Sequence, residues 1–124
     1  MTNWTENEVD RIGVANELRI ATKRTDGSVR SFVPIWVVRV GDDLYIRAYH
    51  GPGGSWYRQA QRSGRAMIRA GGIEREVTFT PGDDALRSSI DAAYRGKYGR
   101  GMYVDAMVTD DAAAATLRLE PAED

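Results

Sequence analysis

Residues 18–30 read LRIATKRTDGSVR. Apolar and polar side chains alternate from Leu18 to Lys23, which is the pattern of a strand that buries one face. The Asp26-Gly27 dipeptide that follows favours a tight primed turn, because both residues tolerate the positive φ that such a turn requires. The stretch therefore predicts a β-hairpin.

Short strands recur along the rest of the chain. They are predicted at residues 18–23, 29–40, 44–49, 66–70, 74–80 and 116–119. Pro34 indicates an edge, a bulge or a bend in the second strand, since proline has no amide to contribute to a ladder. Several hairpins at short spacing, with helices between them, predict a mainly β fold with inserted helices, a barrel of about six antiparallel strands.

A helix start precedes the first strand. Thr5 followed by Glu8 has the spacing of a capping box. Trp4 and Val9 occupy the two positions of a hydrophobic staple, which fixes the direction in which the chain enters a helix. The sequence therefore predicts a short N-terminal helix, and Gly13 is expected to end it.

The length of 124 residues predicts one domain with one core. From the N-terminus we expect a helix in residues 1–15, barrel strands in 16–80 with a short helix at 56–63, a helix at 83–98, a last strand at 112–120 and a tail at 121–124. Leu86, Ile90 and Tyr94 recur at helical spacing, and Gly99 fits the end of that helix. The acidic tail is expected to be disordered.

Composition argues against several classes of protein. The net charge of −1 and the lack of cysteine count against a broad nucleic-acid surface and against disulfides. His50 is the only histidine, so a histidine-rich metal centre is not expected. Without a signal region or a membrane-spanning apolar run, the chain is predicted to be cytoplasmic. The basic run Arg58, Arg62, Arg65 and Arg69 is interpreted as a solvated face, with nucleic-acid binding as the minor alternative.

The first hairpin is one candidate site. A two-residue turn would place Lys23 directly opposite Arg30, where like charges repel. A phosphate between them, with Arg24 and Thr22 as further donors, would make the arrangement favourable. Two solvated side chains that splay apart satisfy the same spacing, so both interpretations stay open.

The glycine loop at residues 51–54 is the second candidate. Its backbone amides can approach a ligand closely, and the start of the following helix favours an anion. Trp56, Tyr57 and Tyr49 offer planar faces on which an aromatic ring can stack. An ordinary turn and core packing are the simpler explanations of the same features.

The order of these motifs resembles the FMN-binding split-barrel superfamily, the pyridoxamine-phosphate-oxidase-like proteins. The likeness is carried by residues 22–30, 34–36, 49–51 and 55–58. Within the superfamily it is strongest to the deazaflavin-dependent nitroreductase branch, where a basic glycine-turn hairpin and a hydrophobic strand precede a glycine loop and a Trp-Tyr helix start. The whole chain is also similar to an uncharacterised bacterial family of this fold, through residues 35–38 and 92–98.

The resemblance implies a split β-barrel that forms a homodimer and binds FMN or a deazaflavin coenzyme. It assigns the first hairpin to the cofactor's phosphate and the glycine loop to a position around the cofactor near a subunit interface. The residues expected to hold the cofactor are Lys23, Arg24, Arg30, Tyr49, His50, Gly51, Gly54, Trp56 and Tyr57.

No carboxylate pair and no nucleophile motif stands out, so an enzyme built from this chain would leave the chemistry to its cofactor. The leading hypothesis is an oxidoreductase that transfers a hydride from a flavin or deazaflavin to an unknown small molecule. The alternative is a split barrel without catalytic activity that binds a ligand or a partner.

Overall fold

A computed structural model of the protein describes residues 4–49 and 51–122. Its strands are β1 (Leu18–Thr22), β2 (Val33–Ile35), β3 (Val37–Val40), β4 (Asp43–Arg47), β5 (Arg65–Ala70), β6 (Ile73–Pro81) and β7 (Thr116–Pro121). Its helices are α1 (Glu6–Val14), α2 (Ser55–Ser63), α3 (Arg87–Tyr98), α4 (Met102–Met107) and α5 (Asp110–Ala114), with 3-10 turns at Gly51–Gly53 and Asp84–Leu86. In this described part of the chain, no helix has the length and apolar character needed to cross a membrane.

The strands form a single antiparallel sheet in the order β2-β1-β5-β6-β7-β4-β3. Its two end strands, β2 and β3, are separated in the chain by Trp36 alone. The chain thus passes from one edge of the sheet to the other within one residue, which is possible only if the sheet curves round on itself. The predicted antiparallel barrel with inserted helices is confirmed.

The two faces of the curved sheet bury different groups of side chains. Leu44 and Ile46 of β4 point into the barrel core, which α1 closes with Val9 and Ile12. Tyr45, between them, points outward into a second cluster beneath α3 and α4. This alternation follows from the two-residue period of a strand. It also determines that Arg47, two residues after Tyr45, lies on the outer face.

The N-terminal helix begins as predicted. The Thr5 side chain accepts from the Glu8 amide at 3.1 Å, and the Glu8 carboxylate accepts from the Thr5 amide at 2.9 Å. Gly13, expected to end the helix, lies within it, because α1 continues to Val14. The missing side chain serves packing instead, since a Cβ at Gly13 would lie 3.1 Å from the Cβ of Arg39.

The predicted register of the first hairpin is wrong by one residue. Lys23 bridges to Val29 and not to Arg30. The turn holds three residues and is closed by the Gly27 amide, which donates to the Arg24 carbonyl at 3.0 Å, with Gly27 at φ +90°. Glycine adopts this positive φ without a Cβ clash, so the chain fits a third residue into the turn. A shift of one residue turns Lys23 and Arg30 to opposite faces.

Three other boundaries differ from the predictions. The strand expected at residues 29–40 is two strands, because the chain crosses at Trp36 from one sheet edge to the other. The strand expected at 112–120 begins at Thr116, because α5 occupies the preceding residues. Thr109 caps α5, where its side chain accepts from the Ala112 amide at 3.1 Å. The predicted tail at 121–124 begins later, since Pro121 ends β7 and Ala122 is buried, while 123–124 lie outside the described residues.

Candidate functional site

A cavity of about 630 Å³ lies where the first hairpin, the end of β4 and the start of α2 meet. It is bordered by β1, the segment before β3, the end of β4, the start of α2 and helix α4. Its lining consists of Ile20, Thr22, Arg30, Ser31, Val33, Pro34, Ile35, Trp36, Arg47, Ala48, Tyr49, Gly54, Ser55, Trp56, Gln59, Tyr103 and Met107. The volume falls within the range of about 300–1,000 Å³ that small-molecule and cofactor pockets occupy.

Arg30 carries an unsatisfied donor at this cavity. Its Nε is buried and has no hydrogen-bond partner among residues 4–49 and 51–122. Within the described residues, the charged side chains of the lining are Arg30 and Arg47, and no carboxylate contributes to it. A buried donor without a partner costs free energy that an anionic ligand would recover. The cavity is therefore suited to a negatively charged group.

Thr22 and Gln59 form a polar pair on the same wall. Thr22 is buried, and its hydroxyl donates to Gln59 Oε1 at 3.0 Å. Because the amide oxygen is engaged in this way, the Gln59 Nε2 group has its two N–H donors available. The pair therefore offers the cavity a neutral donor next to the cation of Arg30.

The start of α2 contributes backbone donors. Gly54 is its N-cap and provides no side chain to satisfy the first amides of the helix. The Gly54 amide itself donates to the Gly51 carbonyl at 3.0 Å, which holds the glycine loop in a turn. Gly54, Ser55 and Trp56 all border the cavity. The unpaired amides and the helix dipole favour negative charge in the same place as Arg30 does.

Aromatic side chains form the apolar part of the lining. Trp36 stacks on Tyr98 with 4.0 Å between ring centroids and 5° between ring planes. Trp56 packs edge-on against Tyr57, with centroids 6.1 Å apart. Burial raises the pKa of Tyr98 to about 12, so its hydroxyl stays neutral at physiological pH. The two tryptophans are thus held by partners behind them while they border the cavity, where a planar ligand can contact them.

The cavity brings together four of the residues predicted to hold a cofactor. Arg30, Tyr49, Gly54 and Trp56 come from separate segments and line one space. Gly51 is buried beside this space and contacts Asp111, which lies 3.1 Å from where its Cβ would be. This grouping requires the barrel, because strands distant in the chain are neighbours in the sheet.

Other predicted residues lie elsewhere. Lys23 forms an ion pair with Glu76 and lowers the pKa of that carboxyl through their hydrogen bond. Arg24 folds back on its own hairpin, where it donates to the Val29 carbonyl at 3.3 Å. Tyr57 is buried, and its hydroxyl accepts from Gln61 Nε2 at 3.0 Å. His50 lies outside the described residues.

Three lining residues carried no signal that the sequence interpretation used. Arg47 lies in the predicted strand at 44–49, where the alternating pattern gave no reason to single it out. Gln59 lies inside a short polar helix. Tyr103 lies in α4, a helix that the sequence did not predict, and is 66% exposed. The cap residue Thr109 and the alanine run that follows it would have indicated the helical character of this region.

A family model described as "Uncharacterized protein conserved in bacteria (DUF2255)" matches residues 8–119. No curated protein matches the chain.

Solved structures share the fold. An F420 reductase has a TM-score of 0.60 at 15% identity, with 97% of each chain covered. The heme storage protein HutZ from Vibrio cholerae has a TM-score of 0.63 at 14% identity, covering 100% of this chain and 93% of HutZ. An FAD-binding protein from Mesorhizobium loti has a TM-score of 0.59 at 14% identity, covering 97% of this chain and 91% of that one. At these identities the comparison establishes a common split-barrel architecture.

Proposed function

The chain belongs to the bacterial family described as uncharacterised (DUF2255) and has the split-barrel fold. From this premise we propose that it is an oxidoreductase that binds a phosphate-bearing flavin or deazaflavin. One observation carries the proposal. Arg30, whose buried Nε has no partner in the described residues, lines a cavity to which no carboxylate of residues 4–49 and 51–122 contributes. A phosphate group provides the acceptor that this donor lacks.

The remaining lining fits the other parts of such a ligand. Trp36 and Trp56 border the cavity with faces or edges against which a planar ring system packs. The Gln59 amide, oriented by Thr22, donates to a ring carbonyl. In this assignment Arg30 and the start of α2 hold the phosphate, and the bound cofactor supplies the hydride for a small acceptor. Tyr49 and Gly54 complete the wall.

Cofactor titration tests the proposal. Purified protein is titrated with FMN, with F420 and with riboflavin, which lacks the phosphate, and binding is followed by absorbance and fluorescence. We expect FMN or F420 to bind, and riboflavin to bind at least about tenfold more weakly than FMN, a difference of about 1.4 kcal/mol. Arg30→Met should remove most of the difference between FMN and riboflavin. Failure of both FMN and F420 to bind at high micromolar concentration would overturn the proposal.

A second function is favoured by the same lining. Among residues 4–49 and 51–122, the lining includes two tyrosines, Tyr49 and Tyr103, and no aspartate or glutamate. A non-catalytic ligand-binding protein needs none. The two functions differ in turnover. An oxidoreductase reduces a nitroaromatic or quinone acceptor when its cofactor is supplied in the reduced form. A binding protein holds the reduced cofactor but does not oxidise it faster than it is oxidised in free solution.

We also propose that two copies of the chain associate over this surface. Val33, Tyr49 and Tyr103 border the cavity and are 39%, 49% and 66% exposed. Apolar side chains grouped at the mouth of a cavity are the usual mark of an interaction site. A second copy would cover them and exclude water from the ligand. Light scattering should give the mass of a dimer, and a monomer mass at tens of micromolar would contradict this.

A further inference from the structure

The cavity has a buried cation at its floor in addition to Arg30. Arg47 is 1% exposed, ends β4, and contributes to the lining. We propose that Arg47 binds an anionic oxygen group, a carboxylate in the simplest case, of the small-molecule substrate. This inference rests on the proposed function, because it assumes that the large cavity is the ligand site. It adds to that function the chemical class of the substrate.

The Arg47 guanidinium is held in place from three directions. Its Nε donates to Thr116 Oγ1 at 2.9 Å, and its Nη1 donates to the Met107 carbonyl at 2.9 Å and to Asp91. The ring of Tyr94 lies 5.5 Å from its central carbon. Arg47 is therefore pre-oriented, and none of these three bonds uses its Nη2 group.

Stability alone gives no strong reason for an arginine at this buried position. A buried charge loses its hydration, and replacing a buried ion pair by apolar side chains of similar volume often leaves a protein as stable or more stable. Asp91, the acid that pairs with Arg47, is 27% exposed and does not line the large cavity. Of this ion pair, only Arg47 lines the large cavity and Asp91 does not. A cation that lines a cavity without its acidic partner is suited to binding an anion.

Charge on the two sides of Arg47 differs. On its other side lies a smaller cavity of about 280 Å³, to which Arg47 and Thr116 also contribute. That cavity is lined by three acids, Asp83, Asp84 and Asp110, and by the cation Arg87. The carboxylates there disfavour an anion, whereas none of the described carboxylates lines the large cavity. An anionic group therefore reaches Arg47 from the large cavity.

Arg47 and Arg30 have separate tasks in this scheme. Arg30 follows the first hairpin beside the start of α2, whereas Arg47 lies at the end of β4 against α4. The planar guanidinium of Arg30 can bind one anionic group with two parallel hydrogen bonds, whereas Arg47, whose Nε and Nη1 are engaged, would bind its anionic group through Nη2. The cofactor's phosphate is assigned to Arg30 and the substrate's anionic group to Arg47.

The test uses the full chain and two probes that differ in charge, 2-naphthoate and 2-naphthamide, with binding followed by calorimetry and tryptophan fluorescence. We expect naphthoate to bind at least about tenfold more tightly than naphthamide. Arg47→Met should abolish that preference. Arg87→Met is the matched control, because it removes the same charge from the rim of the smaller cavity and should leave the preference intact.

Further outcomes decide between alternatives. If Arg47→Met does not fold, Arg47→Lys keeps the charge but loses the planar fork, and a selective loss of naphthoate affinity then supports the proposal. A preference that survives Arg47→Met and disappears in Arg30→Met would assign the carboxylate to Arg30 and overturn it, as would equal binding of the two probes. An Arg47-dependent preference in a protein that binds neither FMN nor F420 would retain this inference and reject the cofactor.

Discussion

Thr22 and Arg30 lie opposite each other across the first hairpin, where the Arg30 amide donates to the Thr22 carbonyl at 3.0 Å, and both side chains line the large cavity. Lys23, the neighbour of Thr22, points to the other face and pairs with Glu76. The three-residue turn produces this arrangement. The predicted pair of cations, Lys23 and Arg30, is therefore not formed. Arg30 alone lines the cavity, and its Nε has no partner in the described residues.

The first prediction separates Lys23 from Arg30. We expect Lys23→Met to change the dissociation constant for FMN by less than about twofold, because its amine is engaged with Glu76 away from the cavity. Its free energy of unfolding should fall by no more than about 1 kcal/mol, as is usual for a partly exposed ion pair. Isothermal titration and urea unfolding measure the two quantities. If Lys23→Met lost as much FMN affinity as Arg30→Met, Lys23 would contact the cofactor, as the register predicted from the sequence requires.

The second prediction concerns the Lys97 amine. Burial lowers the pKa of Lys97 to about 8, and its Nζ donates to the Val37 carbonyl at 2.6 Å. The unfolded chain, with a lysine pKa of about 10.4, binds more protons between pH 8 and 10, so the free energy of unfolding rises with pH there. The slope cannot exceed about 1.4 kcal/mol per pH unit for one group, and the half-buried amine should give less.

Urea unfolding at pH 7.5, 8.5 and 9.5 checks this dependence. Lys97→Met should flatten the rise, whereas Lys23→Met, which removes the other lysine of the chain, should keep it. Wild-type and Lys97→Met curves that run parallel over this range would show that Lys97 does not titrate there.

The third prediction concerns the Tyr98 hydroxyl. Its one proton is directed at the Asn16 carbonyl at 2.8 Å and the Val37 carbonyl at 3.2 Å, and its oxygen accepts from the Val37 amide at 3.3 Å, so it joins the segment before β1 to β3. Tyr98→Phe should lower the free energy of unfolding by about 1–2 kcal/mol, since partly buried acceptors lose their donor. Tyr103→Phe is the control, because that ring is exposed, and should change stability by less than about 0.5 kcal/mol. Equal effects in chemical denaturation would contradict the role of the hydroxyl.

The fourth prediction uses the two glycines of the β5–β6 turn. Gly71 and Gly72 have φ of +57° and +82°, so alanine is strained at both. A Cβ at Gly71 would lie 2.4 Å from the Arg11 carbonyl oxygen of α1, whereas a Cβ at Gly72 has no atom within 4 Å. Gly72→Ala should cost about 1–2 kcal/mol from backbone strain. Gly71→Ala should cost about 1–3 kcal/mol more from the clash.

Thermal unfolding compares these two variants directly, because they differ in the clash alone. Similar melting temperatures would mean that α1 does not pack against this turn as closely as the distance to Arg11 indicates.

The sequence by itself determined the fold class and most of the elements, but not helices α4 and α5. Capping residues, two-residue alternation and glycine pairs are local signals, and they predicted α1, the core of each strand and the hairpin between β5 and β6. They failed where a local choice depends on distant contacts. Residues 33–40 are apolar except for Arg39, and only closure of the barrel divides them at Trp36.

Tertiary structure alone decided which side chains share the cavity. The positions of Arg30, Tyr49, Gly54 and Trp56 were predicted from motifs, but Lys23 was lost from the group because one additional turn residue reverses the face of every following side chain. Arg47 and Gln59 joined it without a sequence signal, because strand order and helix packing bring them there. The net charge of the cavity depends on which side chains are close in three dimensions. The order of residues along the chain does not give that proximity.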